Sequence, residues 1–281
     1  MGTLKERAAF IGLRIITYVL VSIVGYIILD IVVRGAGVIS WSFLTTYPNP
    51  DGTGGIFPAI VGTFYLVMGT ILVALPLGMA SAVYLTEYAK QGLLTNQIRL
   101  AIVTLAGVPS IVFGLFGLGL FVLFLDFGTS VLAGSLTLAC MILPTIIVSS
   151  EEALRAVPQS LREASLALGA TKWETIRKSV LPYAIPGMMT GSILGVGRAA
   201  GETAPILLTV AAFFLPQLPR SIFDQAMALP YHLYVLATQF PNAEAVRPTQ
   251  YGTALVLLLL VLGLNIGAIM VRMHFRKRNR W

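Results

Sequence analysis

Four long runs of this chain carry no charged side chain, and they limit its possible folds more than any other feature. The runs cover residues 52–86, 100–125, 127–150 and 248–271. Each is longer than the roughly 20 apolar residues that an α-helix needs to cross a bilayer. Because the hydrocarbon core holds no water, a spanning segment must pair its own backbone N–H and C=O groups, which favours helices. The sequence therefore predicts an all-α integral membrane protein.

The composition agrees with this prediction and excludes a soluble domain. Only 11% of the residues are charged, whereas a soluble domain has about 25%. With 57% hydrophobic residues the chain also differs from a disordered segment. Lys5 and Arg7 precede an apolar run, as in a secretion signal. The run passes Ile31 without a small-x-small cleavage pattern, which favours a retained first helix.

Six spans are predicted, and the basic residues orient them. We place the spans at residues 11–33, 60–86, 99–125, 130–150, 186–214 and 251–273. Of the 19 Lys and Arg residues, Arg198 lies within a span, and only Arg34, Arg220 and Arg247 lie in one set of loops. The positive-inside rule places the other, basic-rich side in the cytoplasm, and both termini with it. The net charge of +7 follows from this asymmetry and requires no nucleic-acid partner, and the basic C-terminal tail anchors the last helix at the lipid bilayer.

Two segments between the spans are predicted to lie on the exported side, and three residues, one cysteine and two histidines, are considered as disulfide partners or metal ligands. Residues 34–57 contain a turn-rich loop, and residues 215–250 contain five prolines. Between those prolines, residues 226–240 are apolar but too short to span, which indicates an interfacial or re-entrant segment. Cys140 has no intramolecular disulfide partner, and His232 and His274 lack ligand spacing, so no metal or other cofactor is expected.

The cytoplasmic stretch after the fourth span predicts a helix–Gly–helix elbow. Ser160 with Glu163, and Thr171 with Glu174, have the spacing of capping boxes. Gly169 can end the first helix in the left-handed conformation, and Pro182 is expected to close the second. Leu161, Ala164, Ala167 and Leu168 share one narrow face of the first helix. Such an elbow is either a plain connector or a docking element; its length of about thirty residues favours docking.

The fifth span contains an ion pair at membrane depth. Arg198 and Glu202 are four residues apart, so they can pair and offset the cost of burying charge. At 100° per residue they share a face with Gly187, Gly191 and Gly195, whose spacing permits close helix packing.

This pair has two interpretations. It is either a packing lock or a gate in a substrate path, since a guanidinium fork matches a tetrahedral oxyanion. Glu202 would repel a permanently bound anion, so the gate hypothesis has a closed pair that opens for the anion. Thr203 adds a candidate hydroxyl donor, although hydroxyls in spans often bond their own backbone.

The elbow resembles the EAA loop of ABC importer permeases. The residues that carry the resemblance are Glu163, Ala164, Ser165, Gly169, Leu181 and Pro182, with Ser165 and Ser179 departing from the usual Ala and Ile. The stretches 105–117, 156–171, 197–207 and 229–234 are similar to the PstA-type permeases of phosphate importers. The resemblance implies a type I importer fold with a MetI-like core of six transmembrane helices. It also implies that the six elbow residues couple the spans to a cytoplasmic ATPase.

The resemblance divides the chain into three parts. Residues 1–56 form the first transmembrane helix and an exported loop, and residues 57–275 form the permease core. The core includes the coupling loop 151–182 and the exported loop 215–250, and residues 276–281 form a basic cytoplasmic tail. The implied partners are a PstC-like permease, two PstB-like ATP-binding subunits and an extracytoplasmic PstS-like phosphate-binding protein.

The function expected from these residues is phosphate import through a prokaryotic plasma membrane. The chain has no Gly-x4-Gly-Lys-Ser/Thr loop, so ATP hydrolysis is expected in a partner and no catalytic residue in this chain. Three alternatives remain open: a permease for molybdate or sulfate, a secondary transporter driven by an ion gradient, and an intramembrane enzyme. The last would need a nucleophile–base or metal set at membrane depth, where only the Arg198–Glu202 pair is found.

Overall fold

The computed structural model describes residues 4–215, 217–241 and 243–278, and their fold is helical. Two isolated β-bridges, Pro48–Gly54 and Ala211–Ala226, occur in the loops. The helices are α1 Leu4–Ala36, α2 Trp41–Thr45, α3 Phe57–Val83, α4 Leu93–Ala106, α5 Ser110–Gly117, α6 Val131–Arg155, α7 Gln159–Ala167, α8 Lys172–Thr175, α9 Leu181–Gly201, α10 Ala204–Thr209, α11 Leu229–Thr238 and α12 Ala243–Arg278. Short π-helical segments, Tyr84–Tyr88, Leu118–Phe124 and Ile176–Val180, extend α3 and α5 and join α8 to α9.

The predicted membrane spans are confirmed in number but not in every position. Within the described residues, five helices are long and apolar enough to span a membrane: Phe10–Ala36, Phe57–Tyr88, Val131–Arg155, Lys172–Gly201 and Glu244–His274. The pair Leu93–Ala106 and Ser110–Phe124 makes a sixth if it is one broken span. The predicted tail at 276–281 lies entirely outside the described side chains, and residues 279–281 lie outside the described chain.

The predicted third span, 99–125, is wrong as a single straight helix. The chain bends by 105° between α4 and the helix that follows it. The bend lies at Gly107, Val108 and Pro109, where Pro109 is the N-cap of α5. A proline ring clashes with the preceding helical turn and offers no N–H, so α4 cannot continue through Pro109.

The predicted fifth span, 186–214, is wrong at both ends. A continuous helix runs from Lys172 to Gly201, so the predicted stop at Pro182 does not occur. The chain passes from the π-helical turn Ile176–Val180 into α9, and Pro182 lies in the first turn of α9 directly after this change in hydrogen bonding. At the other end, Glu202 is the C-cap of α9. The short helix α10 then runs from Ala204 to Thr209, with Pro205 in its first turn.

The core is built around α6, which packs between α3 and α9. In the most apolar 18-residue stretch of α6, two thirds of the residues are buried, whereas none are buried in the corresponding stretch of α1. Gly187 of α9 faces Ala153, Gly191 faces Ser149, and Gly195 faces Ile142 and Ile146. The glycine stripe predicted from the sequence therefore packs on α6, as its spacing indicates.

The helical bundle has two ends, an elbow end and a loop end. The elbow end holds residues 84–92 and 151–180, and the loop end holds residues 37–56, 210–215 and 217–241. At the loop end, the segment before α11 lies directly on α3: the Leu229 N–H donates to Thr63 Oγ1 at 2.8 Å. The Gly62 position has no room for a Cβ because the Met227 carbonyl oxygen lies there. Residues 226–240, predicted to be too short to span, form the ten-residue α11.

Candidate functional site

The elbow is formed by α7, a tight turn at Gly169, and α8. Gly169 has φ +84, the left-handed conformation predicted for it. The Gly169 N–H donates to the Leu166 carbonyl and the Ala170 N–H to the Ser165 carbonyl, which together make a Schellman motif. The predicted capping box at Thr171 and Glu174 is confirmed, with both reciprocal bonds formed. Local sequence therefore specifies the bend.

The other predicted capping box is wrong. The N-cap of α7 is Pro158, and no side chain caps that helix. Ser160 lies inside the first turn rather than before it. The helix begins at Gln159, directly after Pro158, whose ring holds φ at -56.

A buried ion pair fastens the elbow to the end of the α3 span. Arg162 Nη2 lies 2.8 Å from Glu87 Oε1, with side-chain exposures of 13% and 9%. Arg162 also donates to the carbonyls of Leu154 and Val157, at 2.8 and 2.6 Å. Between the two arms, the hydroxyls of Ser165 and Thr175 lie 3.0 Å apart. The elbow is therefore held by polar contacts from two separate parts of the chain.

The predicted docking face of α7 is divided by this attachment. Leu161 is half-buried against the inner cluster that includes Leu154 and Val157. Ala164, Ala167 and Leu168 are exposed, and Leu168 is 89% exposed. None of the nine residues of α7 is fully buried. The apolar outer surface of the elbow thus faces away from this chain.

The six residues predicted to couple the elbow to an ATPase occupy two environments. Glu163, Ala164 and Gly169 are exposed on the outer surface, and Ser165 is half-buried in the contact with Thr175. Leu181 and Pro182 are half-buried in the first turn of α9, so they belong to the span and not to the elbow surface.

A second charge cluster at the elbow end was not foreseen from the sequence. Arg99 Nε lies 3.2 Å from Glu151 Oε2, and Arg155 Nη2 lies 2.9 Å from the same oxygen. Arg99 also donates to the Leu85 carbonyl at 2.7 Å. Glu151 is only 7% exposed. The one sequence signal was a carboxylate following an uncharged run of 24 residues.

Arg198 and Glu202 pair at the end of α9, beside the middle of α6. The Arg198 Nε–Glu202 Oε1 distance is 3.3 Å, which confirms the predicted pairing. Ala199, between them, belongs to the same buried cluster as Leu138 and Ile142 of α6. The pair was predicted inside a continuous span, but the helix ends at Gly201, so Glu202 lies at a break.

Their exposure differs from that of the glycine stripe. The Arg198 side chain is 43% exposed and that of Glu202 is 18% exposed. Apart from its Nε, the Arg198 guanidinium makes no hydrogen bond to any residue that the structure describes. One edge of the fork is thus held by Glu202 and the other is open at mid-bundle.

Three further features lie at or next to this pair. Glu202 lines a narrow space beneath Ala228 and Pro230, next to the start of α11. Thr203 is the N-cap residue of α10, but its side chain caps no backbone N–H. Gly197, one residue before Arg198, faces the Asn265 side chain of α12. The break therefore places the half-buried hydroxyl of Thr203 directly after the Arg198–Glu202 pair in the chain.

His232 of α11 is the buried titratable group at the loop end. It is 1% exposed and stacks on Phe213 with 5.3 Å between ring centroids. Burial lowers the pKa of His232 to about 4, against a smaller opposing effect of the Phe213 backbone. The ring is therefore neutral at pH 7. Among the described residues, no group of three His, Cys, Asp or Glu side chains could hold a metal ion.

Comparison with known proteins gives a family match and close relatives. Residues 74–280 match the family described as binding-protein-dependent transport system inner membrane component. The chain is 37% identical over 269 residues to the probable ABC transporter permease protein YqgI of Bacillus subtilis (strain 168), covering 90% of this chain and 89% of that protein. It is 39% identical over 228 residues to the phosphate transport system permease protein PstA 1 of Mycobacterium tuberculosis (strain ATCC 25618 / H37Rv), covering 81% and 72%.

Solved structures share the fold. A chain of a bacterial ABC transporter involved in the import of the acidic polysaccharide alginate has a TM-score of 0.67 and 12% identity, covering 96% of both chains. A chain of the MetNI methionine ABC transporter, in an inward-facing conformation, has a TM-score of 0.58 and 19% identity, covering 79% of this chain and 94% of that one. These matches confirm the predicted type I importer fold with a MetI-like core, and the family match confirms the resemblance drawn from the elbow.

Proposed function

Because the chain belongs to the family of binding-protein-dependent transport system inner membrane components, we propose that it is the permease subunit of an ATP-driven importer of inorganic phosphate. As an ABC importer permease it is a multi-pass protein of the plasma membrane, and it works with ATPase subunits and a substrate-binding protein. The proposed partners are a PstC-like permease, two PstB-like ATPase subunits and a PstS-like binding protein. The relatives named as phosphate permeases support this assignment.

The observation that carries the substrate class is the half-open guanidinium at mid-bundle. Arg198 keeps only its Nε on Glu202, which leaves a planar pair of donors for a tetrahedral oxyanion. A cation at membrane depth is costly, about 2.5–3.5 kcal/mol on insertion scales, so it is retained where it has a use. The partner permease would supply the facing wall of the path. In the absence of substrate, Glu202 neutralises Arg198 and opposes anion leakage.

We propose the elbow end as the cytoplasmic side, with both termini there and the loop end outside. The distribution of Lys and Arg supports this orientation. The exposed surface around Glu163 and Ala164 would then receive the ATPase. Residues 57–275 would form the permease core, with its coupling loop at 151–182.

Reconstitution tests this proposal directly. The transporter is assembled with its partner permease, ATPase and binding protein in liposomes, and labelled phosphate uptake is measured with and without ATP. We expect uptake that requires ATP, persists with a protonophore, and resists excess sulfate or molybdate. Uptake that collapses with the protonophore at constant ATP would point to a secondary transporter. Stronger inhibition by molybdate or sulfate than by unlabelled phosphate would reassign the substrate.

The gate is tested by substitution at Arg198. Arg198→Ala should abolish uptake while leaving complex assembly and ATP binding intact, and Arg198→Lys should retain only a small part of it because the fork is lost. Arg247→Ala, at the exposed start of α12, is the matched control and should transport normally. Uptake by Arg198→Ala at the wild-type rate would contradict the gate.

A further inference from the structure

An apolar cavity of about 440 Å³ opens between α3 and α6 near the loop end. Its walls include Met68 and Leu72 of α3, Leu136 of α6, and Ile222 of the exported loop. Leu72 and Ile222 are 69% and 58% exposed at its edge. The volume is within the range of small-molecule sites, and the exposed apolar rim is unsuited to water.

The cavity lies at a defined depth in the bundle. On α6 it involves only residues 131–136, the first turns of that helix. On α3 it involves residues 65–73, which span about 13 Å at 1.5 Å per residue. Opposite Gly69, where a Cβ would overlap the Ser135 hydroxyl, the two helices approach closely and close the cavity on its inner side. The cavity is therefore a slot that begins at the loop end of the spans and extends into the apolar layer.

Among the described residues that line this slot, one carries a charge. Arg220 lines the cavity from a turn that is fixed to the start of α6. The backbone N–H groups of Arg220 and Ser221 both donate to Asp224 Oδ2, at 2.8 and 2.9 Å. The N–H groups of Val131 and Leu132 in turn donate to the carbonyls of Asp224 and Ile222.

The Arg220 side chain itself is unengaged. Asp224, the acid in the same turn, is used by the backbone, and the Arg220 guanidinium forms no ion pair or hydrogen bond with the described residues. The hydrogen-bonded turn therefore places at the apolar slot a guanidinium that has no partner among the described residues.

We propose that this slot binds an anionic phospholipid, with an acyl chain between α3 and α6 and the phosphate on Arg220. Arg220 supplies charge-assisted donors in a fork that suits phosphate, and the apolar walls suit the chain. An apolar helix of a partner subunit would leave the Arg220 charge without a counter-ion. Free inorganic phosphate does not suit this site, because it would have one cation as its partner and an apolar wall beside it. With the orientation proposed above, the lipid belongs to the outer leaflet.

Lipid retention by the intact transporter tests the site. The whole complex is purified in mild detergent from membranes containing phosphatidylglycerol, and bound lipid is counted by native mass spectrometry. We expect Arg220→Ala to lower retained phosphatidylglycerol by roughly tenfold, the effect of losing a charge-assisted hydrogen bond. Arg247→Ala removes the same charge at the same end but does not line the slot, and should retain lipid as the wild type does. Leu72→Trp fills the exposed rim and should also expel lipid without disturbing the core.

Three results would overturn the proposal. These are unchanged lipid retention in Arg220→Ala, displacement of the lipid by inorganic phosphate, and cross-linking of a cysteine at position 72 to the partner permease at high yield. Phosphate uptake is measured on the same preparations. If lipid retention depends on Arg220 but the complex does not import phosphate, the transport assignment alone is refuted. Phosphate import with no Arg220-dependent lipid would refute only the lipid site.

Discussion

Substitution of Arg162 should release the elbow from the rest of the chain. The Arg162 and Glu87 side chains are 13% and 9% exposed, and their charged atoms are 2.8 Å apart. Arg162→Ala leaves the Glu87 carboxylate buried without a partner and removes two bonds to backbone carbonyls. Breaking a buried pair in this way costs about 3–5 kcal/mol. At about 1.4 kcal/mol per tenfold, the ratio of attached to detached elbow should fall by roughly 10²-fold to roughly 4 × 10³-fold.

Hydrogen exchange and transport report this change together. In the assembled transporter, amides of residues 159–170 should exchange much faster in Arg162→Ala, while those of α6 stay protected. Phosphate uptake should fall further than ATP hydrolysis, because the elbow no longer follows the span. Lys178→Ala is the matched control: its pair with Glu174 has a 3.6 Å separation and a 72% exposed lysine, so the cost is about 0–1 kcal/mol.

A double variant separates the charge penalty from simple loss of packing. In Arg162→Ala with Glu87→Gln, no uncompensated carboxylate remains, so exchange in the elbow should be slower than in Arg162→Ala alone. The reasoning is refuted if Arg162→Ala exchanges no faster than Lys178→Ala. It is also refuted if the double variant is the more labile of the two.

Three further predictions concern other parts of the chain. Gly191→Leu should destabilise the transporter by about 1–3 kcal/mol or prevent its assembly, because even a Cβ at this position overlaps the Ser149 side chain. Gly263→Leu is the control because no atom lies near the Cβ position of Gly263, and both variants are measured by thermal unfolding in detergent. Thr171→Ala removes the capping box and should cost about 0.5–2 kcal/mol locally, seen as faster exchange of the α8 amides with unchanged exchange in α6. The pKa of His232 is about 4 when folded and 6.5 when unfolded, so the unfolded chain binds more protons between these values and stability falls as pH drops through that window. From pH 6.5 to pH 5 the free energy of unfolding should fall by about 2 kcal/mol. The thermal unfolding midpoint should therefore shift less between these pH values in His232→Phe than in the wild type, and equal shifts would refute the prediction.

Local features of this fold were readable from the sequence because they depend on neighbouring residues. The cap at Thr171 and Glu174 is complete within four residues, and the conformation of Gly169 follows from its lack of a Cβ. The packing of Gly191 on Ser149 follows from small residues repeating every four positions.

Other features depend on tertiary structure or on competition between local signals. Arg162 and Glu87 are 75 residues apart, so no window of sequence joins them. Ser160 has a capping pattern, but Pro158 two residues earlier begins the helix first. Only the fold shows that the fifth span ends at Glu202, three residues before Pro205, and that Arg198 is half exposed.

The continuity of the helix from Lys172 to Gly201 has a mechanical consequence. Its 30 residues measure roughly 45 Å, with the elbow turn at one end and the Arg198–Glu202 pair at the other. If this helix moves as a rigid rod, a tilt of about 5° about the elbow displaces the far end by roughly 4 Å, more than the length of a hydrogen bond. In that case a small rotation at the elbow would be sufficient to make or break contacts of the Arg198 side chain.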